Sequence, residues 1–238
     1  MELKKKLKKI DFIYDCNAYI KSRILKRNAR KIEKEYRNKT SKLNYSEELV
    51  KDIFYKKIRD RKITLNKEEL GIVWIGSNKE QDYSGFIQGL RRYGKVFEYM
   101  DENGDYLLEN QKEKFNQELI HRNDDRLLKF INDIFENGKK VDILIGQFWG
   151  NCFSVEVLKK IQQMKIITIN VSMDDRLPNL WKKSNGIYPG VLGLVQGLDL
   201  VLTTSSECCA RYLYHNCPAL YWPLGSDPHI FKPSQKKI

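Results

Sequence analysis

Residues 142–176 read DILIGQFWGNCFSVEVLKKIQQMKIITINVSMDDR, and the fold turns on this stretch. Asp142–Ile145 is an apolar strand run, Ser154 to Met164 is a helix, and Ile166–Asn170 is a second apolar run. Strands that are apolar on both sides, rather than alternating, are buried on both faces and belong to a parallel sheet. Working outward, the same alternation continues in both directions. Upstream lie a strand at Gly71–Ile75, a helix from Tyr83 to Arg92, a strand at Val96–Met100 and a long helical stretch from Gln111 to Glu136. Downstream lie a helix from Pro189 to Leu198, a strand at Leu200–Thr203, a helix from Glu207 to Tyr214 and a strand at Ala219–Trp222. Six strands in β-α-β order predict an α/β fold: a Rossmann-like doubly wound parallel sheet, covered on both faces, with strand order 3-2-1-4-5-6.

The charge divides the chain at residue 62. Of 238 residues, 43 are Lys or Arg and 31 are Asp or Glu, a net charge of +12. Residues 1–62 hold 21 basic and 9 acidic side chains, which accounts for all of it, and residues 63–238 are neutral. In the basic segment Leu3, Leu7, Ile10, Tyr14, Ala18, Leu25, Ala29, Ile32 and Tyr36 form a helical stripe with a gap at Lys21. After a break at Asn38 to Tyr45, Ser46 is placed to cap a second helix, with Glu47 and Glu48 in its first turn. The chain thus reads as a basic helical hairpin, 1–62, before a Rossmann-like domain, 63–238, expected to fold without it. Three uses of the basic faces stay open: solvated surface, a dimerising coiled coil, or contact with an anionic membrane or anionic acceptor. A neutral body argues against nucleic acid as a partner.

The 41% hydrophobic content suffices for a core, and no run of 18 apolar residues occurs that could span a membrane. No apolar secretory segment follows the basic N-terminus. Five cysteines, an odd number, are read as reduced thiols, which points to a cytoplasmic location.

Ligands of doubly wound sheets sit beyond the carboxyl ends of the strands, so the residues there are the candidates. Gly76, Ser77 and Asn78 follow the first strand and suit a phosphate lying against backbone amides, or an ordinary tight turn. Neither a dinucleotide-binding glycine fingerprint nor a Walker loop occurs, which disfavours a nicotinamide oxidoreductase. Trp149 and Asn151 follow the third strand; a ring and an amide could hold a sugar, or plug the core and cap a helix. Asp174, Asp175 and Arg176 follow the fourth strand in a polar loop where burial should be slight. They could be an ordinary solvated loop, or a carboxylate there could act as acid or base, with Arg176 holding or tuning it. Thr203, Thr204, Ser205 and Ser206 supply hydroxyls or a helix cap. Cys208, Cys209, His215 and Cys217 have no metal-site spacing and read as structural. No nucleophile elbow marks a hydrolase.

Residues 199–233, DLVLTTSSECCARYLYHNCPALYWPLGSDPHIFKP, resemble the end of the N-terminal domain of GT-B glycosyltransferases, especially the family-4-like and CgeB-type proteins. The resemblance is carried by the turn Pro223, Leu224, Gly225, Asp227, Phe231 and Pro233. It is joined by Trp149-Gly150-Asn151, by Ser154 with Glu156, and by Asp174-Asp175. It implies a domain holding the acceptor of a sugar transferred from a nucleotide-diphosphate donor. No tightly bound cofactor is implied. In that family a second Rossmann-like domain binds the donor, and residues 1–238 hold no counterpart of it. The acceptor (protein, lipid or glycan) and the donor domain are then the expected partners, with Asp174 or Asp175 catalytic. Gly76 to Asn78 would meet the donor phosphates, and Trp149, Asn151, Arg176 and Thr204 the substrate. The alternative is a non-catalytic scaffold docking through its basic helices. An anionic membrane surface contacted by residues 1–62, at the inner face of the membrane, belongs to both readings.

Overall fold

The computed structural model describes residues 2–65, 69–109, 116–184, 186–223 and 225, with side chains from residue 18 onward. Six strands form one parallel sheet: β1 (Leu70–Ile75), β2 (Gly94–Glu98), β3 (Ile143–Gly146), β4 (Ile167–Ser172), β5 (Leu200–Thr203) and β6 (Ala219–Tyr221). The α/β class and the Rossmann-like sheet are as expected. The strand order is not: it runs β2-β1-β3-β4-β5-β6. The expected order would put β2 inside the sheet, yet its residues are at best half-buried and Lys95 is exposed. A charged, half-buried strand is tolerated at an edge, whereas the apolar β3 is not. So β3 pairs directly with β1, Ile72 opposite Ile143.

Two helices precede the sheet, α1 (Glu2–Thr40) and α2 (Glu47–Asp60), and Ser46 Oγ accepts from the Leu49 amide at 3.1 Å as the cap of α2. The remaining helices are α3 (Lys79–Gln81), α4 (Ile87–Arg91), α5 (Gln117–Glu136), α6 (Val155–Gln163) and α7 (Ser206–Tyr214). One face of the sheet packs Val73, Ile75, Leu144 and Val201 against α5, α6 and α7. The other packs Ile72, Trp74 and Ile145 under Phe86, Ile87 and Leu90. That cover is incomplete: Ile143, Ile169, Leu202 and Trp222 on this second face are only partly buried. Its cause is the strand order, since the β1-to-β2 crossover alone runs opposite to the others and reaches this side.

Two expected helices differ. Residues 83–92 are broken by a π-type turn over Asp82–Phe86, where Gly85 leaves helical geometry and the Asp82 side chain turns inward. Residues 189–198 form a 3-10 helix over Val191–Gly197. Its glycines permit close approach: a Cβ on Gly193 would lie 2.3 Å from the Tyr188 carbonyl oxygen, and one on Gly197 2.6 Å from Leu158 Cβ. Of the expected long helix from Gln111, the first residues lie outside the described ones, and Asn116 caps α5.

The basic segment is tied into the body. Ile32 and Tyr36, the last members of its stripe, belong to the main core, and Tyr36 OH bonds His215 Nε2 at 2.8 Å. Tyr45 OH donates to the Ala219 carbonyl at 3.1 Å. Arg61 pairs with buried Asp199 at 2.6 Å and donates to the Ile166 carbonyl at 3.2 Å. Most of the counted charges are solvated, Arg61 being an exception, and the apolar stripe brings the C-terminal part of α1 onto the core. Earlier on α1, Tyr19 is 60% and Leu25 49% exposed, so the helix runs clear of the body. Residues 63–238 produced alone are expected to unfold in less urea than the full chain. Losing the buried ring of Tyr36 by itself costs ~3–5 kcal/mol. An equal urea midpoint would show that the body does not need the segment.

Acid should loosen the same contact. Burial foremost, and then the Lys39 ammonium, hold the His215 pKa below its ordinary 6.5, while Glu35 opposes them. The neutral ring is therefore the docked form. Its contribution is complete above pH 6.5 and is lost as the pH falls below that value, where the unfolded chain takes up the proton first. Thermal unfolding at pH 7.5 and 5.5 should show a smaller acid-induced fall for His215→Gln than for the natural chain; equal falls would count against the linkage.

Candidate functional site at the carboxyl edge of the sheet

The strand order sets where a ligand can enter. From β1 the chain turns one way to β2, and from β3 it proceeds the other way to β4, so the switch point lies between β1 and β3. The loops after these two strands meet there: Ser77 Oγ donates to Gln147 Oε1 at 2.7 Å. Gln147 is 4% exposed, and its Nε2 has no hydrogen-bond partner. One strand along, Asn170 is fully buried, donates to the Phe148 carbonyl at 2.8 Å and leaves its Oδ1 unpaired. Orphaned buried amides are rare because each costs ~1–3 kcal/mol, so these two mark places open to a further partner.

Gly76 has a local reason to be glycine. A Cβ there would stand 2.0 Å from Asp82 Oδ2 and 2.6 Å from the Tyr106 hydroxyl. Asp82 is fully buried and accepts from Trp74 Nε1 at 3.2 Å and from Tyr106 OH, with its Oδ1 unpaired. Burial pushes this carboxyl above its ordinary range; the bonds from Tyr106, Trp74 and the Ser77 backbone pull the other way. Asn78 is exposed, and its Oδ1 caps α3 by accepting from the Gln81 amide at 3.1 Å. Helix α3 in turn reaches the loop after β4: Gln81 Nε2 lies 3.1 Å from Met173 Sδ. Thr204 Oγ1 donates to the Met173 carbonyl at 3.0 Å, joining the loop after β5. Ser77, Asn78, Gln147, Met173, Asp174 and Thr204 thus stand along one edge.

The two neighbouring carboxylates are separated by burial. Asp174 is exposed, as expected of that loop. Asp175 is 2% exposed, which corrects the expectation of slight burial. Its Oδ1 accepts from Ser172 Oγ at 2.6 Å and from Tyr212 OH at 2.5 Å, and its Oδ2 from Thr203 Oγ1 at 2.5 Å. Its carbonyl accepts from Trp181 Nε1 at 2.6 Å. Three hydroxyls from β4, β5 and α7 converge on one carboxylate, so Asp175 is the strut of this edge. Arg176 does not bear on either carboxylate; it is exposed and pairs with Glu207 at 3.3 Å.

Trp149 is partly buried and leans on the main core, beside the half-buried Asn151. Gly150 between them lets the loop lie against the 3-10 segment, its amide donating to the Gly190 carbonyl at 3.2 Å. Ser154 caps α6 through the Val157 amide at 3.0 Å. Cys208, Cys209 and Cys217 are buried free thiols, with Cys217 pushed up to about 12 by burial. Of the turn at 223–233, Leu224, Asp227, Phe231 and Pro233 lie outside the described residues.

Fold and edge define a Rossmann-like α/β domain with its candidate site at the β1/β3 switch point. Compared with known proteins, the chain matches no protein-family model and no curated sequence. No helix among the described residues is long and apolar enough to cross a membrane. Sequence reasoning read Gln147 only as an amide flanking the aromatic pair after the third strand, and did not pick out Asn170 as a candidate. Their signal was an amide at the end of an otherwise apolar strand, at a crossover whose direction was not yet known.

Proposed function

We propose that residues 63–238 form the acceptor-side domain of a GT-B glycosyltransferase, moving a sugar from a nucleotide diphosphate to an acceptor hydroxyl. The observation that carries this reading is the alignment of the loops after β1, β3, β4 and β5 on one edge, with Asp174 exposed after β4 and the Nε2 of Gln147 unpaired after β3. Asp174 takes the proton from the acceptor hydroxyl. Ser77, Asn78 and the Gly76 backbone approach the donor phosphates. Trp149, Asn151 and Thr204 border the acceptor. Asp175 and Arg176 shape the loop rather than react. The donor is held by a second domain facing this edge, so residues 1–238 alone should fold yet give no steady turnover. Correct orientation of the two substrates accounts for ~7–11 kcal/mol of such a barrier. The test is a transfer assay with uridine- and guanosine-diphosphate sugars, on residues 1–238 alone and with a donor domain supplied. Turnover by residues 1–238 alone would overturn the division of labour, and no transfer in any combination would overturn the reading.

A second reading, a non-catalytic module attached through its basic helices, draws on α1. Arg23, Lys26, Arg27 and Arg30 stand on its projecting part beside exposed Tyr19, Ile20 and Ile24. Cations next to exposed apolar side chains suit the face of an anionic bilayer, at ~1 kcal/mol per Lys or Arg. Such attachment also serves the transferase reading, which places the protein peripherally at the inner membrane face. Co-sedimentation with vesicles containing phosphatidylserine should fall steeply with salt and be lost on substituting these cations; salt-insensitive binding would count against it.

A further inference from the structure

We propose that Arg211 forms an oxyanion-binding site, for a phosphate or carboxylate group, in the cleft between α1 and α7. A cavity of about 370 Å³ lies there, lined among others by Ile32, Arg176, Pro178, Trp181, Glu207 and Arg211. Arg211 is 9% exposed. Its guanidinium stands beside two rings that contact each other, 5.4 Å from the centroid of Tyr36 and 5.2 Å from that of Trp181, the two centroids being 5.1 Å apart. Rings attract a cation but accept none of the hydrogen bonds its five N–H groups can make. No hydrogen bond or ion pair engages Arg211 among the described residues, whereas the other charges around the cavity are matched. Arg176 pairs with Glu207 at 3.3 Å, and Glu33 on α1 pairs with Arg37 at 2.8 Å. One nearly buried cation is thus left over at the wall of an open cavity. A guanidinium that no carboxylate engages keeps its planar fork free to bind a carboxylate or phosphate through paired bonds. The charged lining is Glu33 and Glu207 against Arg176 and Arg211, and with the first three paired as above the unengaged charge at the wall is positive. The site differs from the switch-point edge and does not require the transferase reading. It depends on α1 being docked, because Tyr36 supplies one of the two rings.

The test titrates inorganic phosphate, and separately acetate, into the full chain at low ionic strength, followed by calorimetry. Saturable binding of at least one anion is expected. Arg211→Met should weaken it ~10-fold or more, as loss of a charge-assisted pair does. Glu207→Gln removes a carboxylate from the cavity wall and frees Arg176 there, and binding should tighten several-fold. Arg23→Gln with Arg27→Gln, on the projecting part of α1, should leave it within about twofold. The ratio of phosphate to acetate affinity identifies the group the site takes. No saturable binding overturns the proposal. Binding that survives Arg211→Met, or that the α1 substitutions abolish, means an adventitious ion only and overturns it too. Should Arg211→Met fail to fold, Arg211→Lys decides, since it keeps the charge but loses the planar fork: binding undiminished from the natural chain overturns the proposal.

Discussion

Asp175→Ala is expected to lower the unfolding free energy by roughly 3–5 kcal/mol, the range for removing one member of a buried, hydrogen-bonded charge network. The carboxylate is the acceptor for Ser172, Thr203 and Tyr212, which come from three different elements. Without it, three buried hydroxyls lose their partner at once, each at ~1–3 kcal/mol if it finds no other. In a chain of 238 residues that corresponds to a thermal midpoint lower by ~6–20 °C. Asp175→Asn should cost less, since the amide keeps one acceptor oxygen. The measurement is urea and thermal unfolding by circular dichroism. A change under ~0.5 kcal/mol for the alanine variant would mean that the hydroxyls are satisfied without the carboxylate.

Asp174→Asn should do the reverse, sparing stability and removing activity. Its side chain is exposed and no hydrogen bond ties it to the fold among the described residues, so stability should move within ~0.5 kcal/mol. If it is the acid/base of sugar transfer, turnover in the assembled enzyme should fall ~10²–10⁴-fold. The pair of variants separates the roles of adjacent carboxylates: on the proposed reading one carries the loop and the other the chemistry. Wild-type turnover by Asp174→Asn would remove Asp174 from the mechanism and leave the edge a binding surface.

The comparison between these two residues shows how far the letters of the chain can be read. Both are aspartates in a polar segment, and nothing local distinguishes them. What separates them is that Thr203 and Tyr212, 28 and 37 residues further on, are brought onto Asp175 by the pairing of β5 with β4 and the return of α7. The same holds for Arg211, whose two rings come from α1 and from the 3-10 turn at Pro178–Trp181.

Short-range physics was legible throughout. Apolar runs on both sides of a strand specify a buried parallel sheet, and caps at Ser46 and Ser154 set the starts of α2 and α6. All six strands were therefore found within about two residues, and the break between the two N-terminal helices was found too. Strand order was decided elsewhere, by which strand could afford an edge, and the half-buried β2 lost the interior place to β3. That choice moved the switch point to β1/β3 and made Gln147 a site residue. Charge counting drew a boundary at residue 62 because most charges lie on the solvated surface and say little about packing. Ile32 and Tyr36 cross that boundary because burial of an apolar stripe depends on what the folded body presents to it.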